Sequence, residues 1–155
     1  MKTLLLATCV VLSFPVLIGT TTAAVATAPR DAPAEPLFAW VPEGGFPDAF
    51  PFGQCTWWGA YNREVTWGGN ARDWLSNAKA QGVATADYPS IGAIVVYKPG
   101  GEYSDYGHVA IVIQVTPRSY TVSEMNAPAW GKVSTRVIAW PDPNVQGFIP
   151  IRAHV

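Results

Sequence analysis

Every segment with strand character lies in the second half of this chain, and both segments with helical character precede it. Ala93 to Tyr97 is a short apolar run rich in β-branched residues. His108 to Val115, Ser119 to Glu124, Thr135 to Trp140 and Gly147 to Ile151 follow it, divided by turns such as Pro99-Gly100-Gly101. Upstream, Trp57 to Arg63 reads as the first turns of a buried helix. Ala71 to Gln81 reads as a second helix, with Trp74, Leu75 and Ala78 on one face, Asn70 placed to cap it and Gly82 ending it. Helices first and short, tightly connected strands afterwards predict an α+β fold, with N-terminal helices packed on an antiparallel β-sheet.

The chain has 155 residues, enough for one domain with extensions. Hydrophobic residues make up 49%, so a substantial core is affordable in area and general disorder is excluded. The 10 basic side chains are nearly matched by 11 acidic ones, which leaves no electrostatic footprint for nucleic acid or an anionic membrane. Seven tryptophans and six tyrosines can serve a core or line a groove for an uncharged polar polymer such as a glycan or peptide. Trp57, Trp58, Trp67 and Tyr106 are the candidates for such substrate contacts.

The N-terminus carries Met1-Lys2, an apolar stretch from Leu4 to Ile18, and then small residues with Ala24-Val25-Ala26 in the A-x-A pattern. This reads as a signal peptide over residues 1–26, cut after Ala26 or, with a poorer fit, after Ala24. An uncleaved anchor is the competing reading, and the apolar run is short for a span. Residues 27–48 hold five prolines (Pro29, Pro33, Pro36, Pro42 and Pro47) and Gly44-Gly45, and read as an extended, unpacked leader. The domain proper is expected over residues 49–155.

Removal of a signal peptide takes Cys9 with it and leaves Cys55 alone. Exported proteins usually pair their cysteines or lack them, so a solitary one suggests a reactive thiol rather than a buried hydrophobe. Cys55 stands just after a glycine turn at Gly53 and opens a helical segment. There the unpaired N–H groups and the positive end of the helix dipole favour the nucleophilic thiolate. A thiol nucleophile needs a base. His108 opens a strand directly after Gly107, while His154 sits in the C-terminal tail, so His108 is the credible partner. Strand alternation sets Glu124 and Asn126 on one face if the chain stays extended there, and either could accept the second ring N–H of His108.

Taken together, Gly53-Gln54-Cys55-Thr56-Trp57, Trp67-Gly68-Gly69-Asn70-Ala71 with Trp74, Pro89 with Gly92-Ala93-Ile94, Gly107-His108-Val109-Ala110 and Ser123-Glu124-Met125-Asn126 resemble the CHAP domains, the cysteine, histidine-dependent amidohydrolases/peptidases. The ordered set covers about residues 50 to 151. The resemblance implies a papain-like fold and hydrolysis of peptidoglycan amide bonds. It implies Cys55 as nucleophile, His108 as base, Glu124 as orienting acceptor with Asn126 a fourth polar member, and Gln54 beside the Cys55 N–H at the oxyanion site. Some phage members carry an acidic calcium loop before the cysteine. Here Glu43 to Phe52 holds only Glu43 and Asp48, so no metal and no other cofactor is expected.

The expected partner is therefore peptidoglycan, met by a secreted or cell-wall-associated monomer that holds no membrane once the signal is removed. A different class of reading makes the chain a catalytically silent wall-binding module that uses an aromatic groove. The bond cut, whether between muramic acid and L-alanine or within the peptide, is not encoded in these motifs.

Overall fold

The computed structural model describes residues 40–151; the expected signal peptide, most of the leader and His154 lie outside the described residues. Two helices precede five strands. They are α1 (Cys55–Asn62), α2 (Trp74–Ala80), β1 (Ile94–Tyr97), β2 (His108–Val115), β3 (Ser119–Met125), β4 (Val133–Ala139) and β5 (Val145–Ile149). The strands form a single antiparallel sheet in the order β4-β3-β2-β1-β5. The α+β architecture expected from the order of the segments is the one observed.

The central strands are apolar on both faces because each face has its own core. Ile94, Val96, Val109, Ile111 and Ile149 point toward the helices, where they meet Ala60, Trp67, Trp74 and Ala78. Val95, Tyr97, Ala110, Val112, Tyr120, Val122 and Phe148 form the second core, with Trp140 packed against it. All four residues of β1 are buried, so its unbroken apolar run is explained without a parallel sheet. The edge strand β4 instead alternates exposed and half-buried residues. Trp74 is wholly buried at the helix–sheet junction, a position where truncation to alanine typically costs about 3–5 kcal/mol.

Local departures from the sequence reading have local causes. α1 starts at Cys55 rather than Trp57. Residues 71–73 form a 3-10 turn before α2, and Asn70 uses its backbone carbonyl, not its side chain, to receive the Asp73 N–H at 2.9 Å. The largest departure is at the leader. Its last part has no regular structure, yet it is packed: Trp40 lies against the first core, and Phe46 N–H donates to Tyr61 O at 3.1 Å. Trp40 N–H donates to Ile113 O at 2.8 Å, at the register shift between β2 and β3. Proline predicts an extended backbone; it says nothing of whether a neighbouring aromatic finds a groove.

Candidate active site

The sheet and α1 meet where β2 begins. Gly107 stands there with φ +73°, and a Cβ on it would come within 2.9 Å of Arg72 N and Tyr97 O, so only glycine fits the turn that aims His108. Gly53, two residues before Cys55, has φ +91° and lies beneath the exposed Trp130 ring. These two turns bring the start of α1 and the start of β2 together.

Cys55 is the first residue of α1, 9% exposed. The His108 ring and the N–H groups of Val109 and Thr56 stand around its sulfur and favour the thiolate, and Cys55 and His108 line the same cleft. His108 Nε2 lies 2.9 Å from Glu124 Oε2, so the ring nitrogen left for the thiol is Nδ1. Glu124, expected at a strand end, is 1% exposed. A buried cysteine, histidine and glutamate thus stand in line across α1, β2 and β3.

The charges follow from these contacts. Burial works to raise the thiol pKa, but the hydrogen bond and charge of His108, with the two backbone N–H groups, outweigh it and leave Cys55 lowered. Burial likewise opposes the imidazolium, yet Cys55 and Glu124 hold His108 at about 9. Burial would raise the Glu124 carboxyl, and His108 together with Arg136 brings it below its ordinary value. A thiolate–imidazolium pair is the state this arrangement favours.

Asn126 does not sit beside His108. Its φ of +62° turns the chain out of the extended path, and its Nδ2 donates to Gln54 Oε1 at 2.9 Å. With Oε1 taken, Nε2 is the end of the Gln54 amide left to donate into the cleft. Gln54, Cys55, His108, Glu124 and Asn126 all line one cleft of about 760 Å³, with Tyr106 on its rim, 62% exposed.

The other aromatic candidates are placed differently. Trp67 is 5% exposed, belongs to the first core, and meets Trp74 edge-on at 5.9 Å. Trp58 packs on that core, and its Nε1 donates to Ser123 Oγ at 3.1 Å, joining α1 to β3. Trp57 stacks on Tyr61 at 4.7 Å and is not among the residues lining the cleft. Aromatic content announces large side chains, and helix packing claimed these three.

Sequence reasoning missed Arg136, Tyr103 and Glu102. Arg136 Nε donates to Glu124 Oε1 at 3.0 Å and its Nη2 to Glu124 Oε2 at 3.3 Å. Its Nη1 donates to Glu102 Oε2 at 2.8 Å, and Nη2 also to the Tyr103 hydroxyl. The Tyr103 ring stacks on His108, centroids 5.0 Å apart and 5° from parallel. The β3–β4 pairing sets Glu124 opposite Ser134, so Arg136 is two residues along the same face. That alternation was the available signal.

Residues 45–126 match the family described as the CHAP domain, just over half of the chain. The chain belongs to the CHAP domain family. A Streptococcus mutans serotype c protein, whose name places it provisionally among hydrolases, is 40% identical over 72 residues, 44% of this chain and 31% of that protein. An N-acetylmuramoyl-L-alanine amidase domain-containing protein of Staphylococcus aureus is 35% identical over 99 residues, 57% of this chain and 16% of the relative. The crystal structure of an N-acetylmuramoyl-L-alanine amidase from Staphylococcus aureus superposes with a TM-score of 0.51 at 32% identity, covering 62% of this chain and 31% of that one. The CHAP segment here spans no more than about a third of the curated relatives named.

Proposed function

We propose that this CHAP domain is a thiol-dependent peptidoglycan hydrolase that cleaves an amide bond, as an N-acetylmuramoyl-L-alanine amidase or as an endopeptidase of the peptide. The observation that carries the reading is the line from Cys55 through His108 to Glu124 on one cleft wall. The Cys55 thiolate attacks the amide carbon, and the oxyanion that forms is met by the Cys55 N–H and Gln54 Nε2. The His108 imidazolium then gives its proton to the departing nitrogen, and the C–N bond breaks to leave a thioester. Water, deprotonated by His108, adds to the thioester; the sulfur leaves as thiolate and the ring returns to imidazolium. Glu124 holds the ring in the tautomer and orientation both steps require.

Tyr106 on the rim is the aromatic candidate positioned to meet substrate. The cationic, apolar N-terminus supports export to the cell wall, with residues 1–26 removed. The acid-poor approach to Cys55 supports catalysis without a metal.

The decisive experiment compares wild type with Cys55→Ala and Cys55→Ser on purified peptidoglycan, with products identified by mass spectrometry. Both variants are expected to fold and to lose on the order of 10⁴-fold or more in kcat. New amino termini on L-alanine would assign the amidase, and new termini within the peptide the endopeptidase. Turnover retained in folded Cys55→Ala would end the reading of Cys55 as the nucleophile. Unchanged wall binding without any turnover in the wild type would favour the silent module.

A further inference from the structure

A buried carboxylate is stable only with cationic or hydrogen-bonding partners. Glu124 is 1% exposed, and one of its cationic partners is not permanent. In the reaction above, His108 surrenders its proton to the leaving nitrogen and is for that moment neutral. Glu124 would then be a buried anion without a counter-charge, free to capture a proton itself.

Arg136 meets that need. It reaches both Glu124 oxygens, with Nε on Oε1 at 3.0 Å and Nη2 at 3.3 Å from Oε2, the oxygen that also faces His108 Nε2. Its own position is fixed by Glu102 and Tyr103 of the β1–β2 loop, through a 2.8 Å ion pair and the tyrosine hydroxyl. The guanidinium also lies 5.5 Å from the centre of the Tyr103 ring, which stacks on His108. The titratable and charged groups around Glu124 are therefore Cys55 from α1, His108 from β2, Arg136 from β4, and Glu102 and Tyr103 from the loop. Arg136 is the only one that stays cationic throughout the cycle.

We propose that Arg136 is a positioning residue that keeps Glu124 ionised and aligned on His108 through every step of turnover. The inference rests on the thiol-hydrolase reading. Its consequence appears at the ring: a weaker Glu124 supports the imidazolium less, so His108 loses its proton at lower pH. Removing the guanidinium's own positive charge acts on the ring in the opposite direction, so a downward move reads the positioning role and not simple charge removal.

The test follows the pH dependence of iodoacetamide alkylation at Cys55, mapped by peptide mass spectrometry, in wild type, Glu124→Gln, Arg136→Gln and Arg136→Lys. kcat and KM on peptidoglycan are measured beside it. Arg136→Gln is expected to move the alkaline limb of kcat/KM downward by about half a unit to one unit, and Arg136→Lys to bring it most of the way back. Arg136→Met, which keeps the aliphatic stem, carries the same expectation if the glutamine variant does not fold. A limb unmoved in the neutral Arg136 variants but moved in Glu124→Gln overturns the inference and leaves the hydrolase reading standing. A limb unmoved in Glu124→Gln as well, or ordinary thiol behaviour in the wild type, overturns both.

Discussion

Two groups set the working pH of the proposed reaction: Cys55, with its pKa drawn down, and His108, held at about 9. The thiolate–imidazolium pair exists between those two limits. Activity is expected to fall as pH rises through about 9, because His108 then has no proton for the leaving nitrogen. Glu124→Gln removes the charge that supports the imidazolium, so kcat/KM should drop and its alkaline limb, where His108 loses its proton, should move to lower pH. Glu124→Ala should lose more, since the ring also loses its acceptor 2.9 Å away. Asn126→Ala should cost less than either, because Asn126 contacts Gln54 and not the ring. The reverse ranking in pH–rate profiles would make Asn126 the orienting residue. Cys55 and His108 could be singled out in the sequence because Cys9 and His154 lie near the ends of the chain and because each of the chosen pair stands within two residues of a glycine turn. The choice between Glu124 and Asn126 could not be made there, because alternation assumes an extended chain and Asn126 leaves it with a positive φ.

At the level of the elements, His108 depends on the turn that delivers β2. Gly107→Ala puts a methyl group against Arg72 N and Tyr97 O in a left-handed backbone conformation. A loss of about 1–3 kcal/mol is expected in urea unfolding, and hydrolysis should fall by more than the folded fraction does. Activity at the wild-type level per folded molecule would mean that the turn does not aim the ring. Strand positions were readable within two residues, since β-branched runs between glycines leave few choices; β2 runs from His108 to Val115 as expected. The 3-10 turn before α2 was not readable, because helical periodicity is the same through both.

For the whole molecule, the packed region begins earlier than composition suggests. Trp40 and Phe46 tie the end of the leader to the domain through Ile113 and Tyr61. A chain begun at residue 49 should therefore be less stable than one begun at residue 40, by about 1–3 kcal/mol for the lost indole burial. Equal urea midpoints for the two truncations would show that the contact contributes nothing. Fold class could be read from the order of helices and strands, whereas the placement of Trp58 and Trp67 could not. An aromatic side chain serves a groove or a core with equal chemistry, and only the approach of α1 and α2 to the sheet decides between them.

The bond from Trp58 Nε1 to Ser123 Oγ crosses the gap between the helix that carries the thiol and the strand that carries the carboxylate. It therefore acts as a built-in gauge of whether the two halves of the site are seated. An indole N–H held in this way exchanges slowly with deuterated solvent and has its own line in a nitrogen–proton spectrum. Watching that line during gradual warming would date the separation of α1 from β3 within the melting sequence, independently of any substrate.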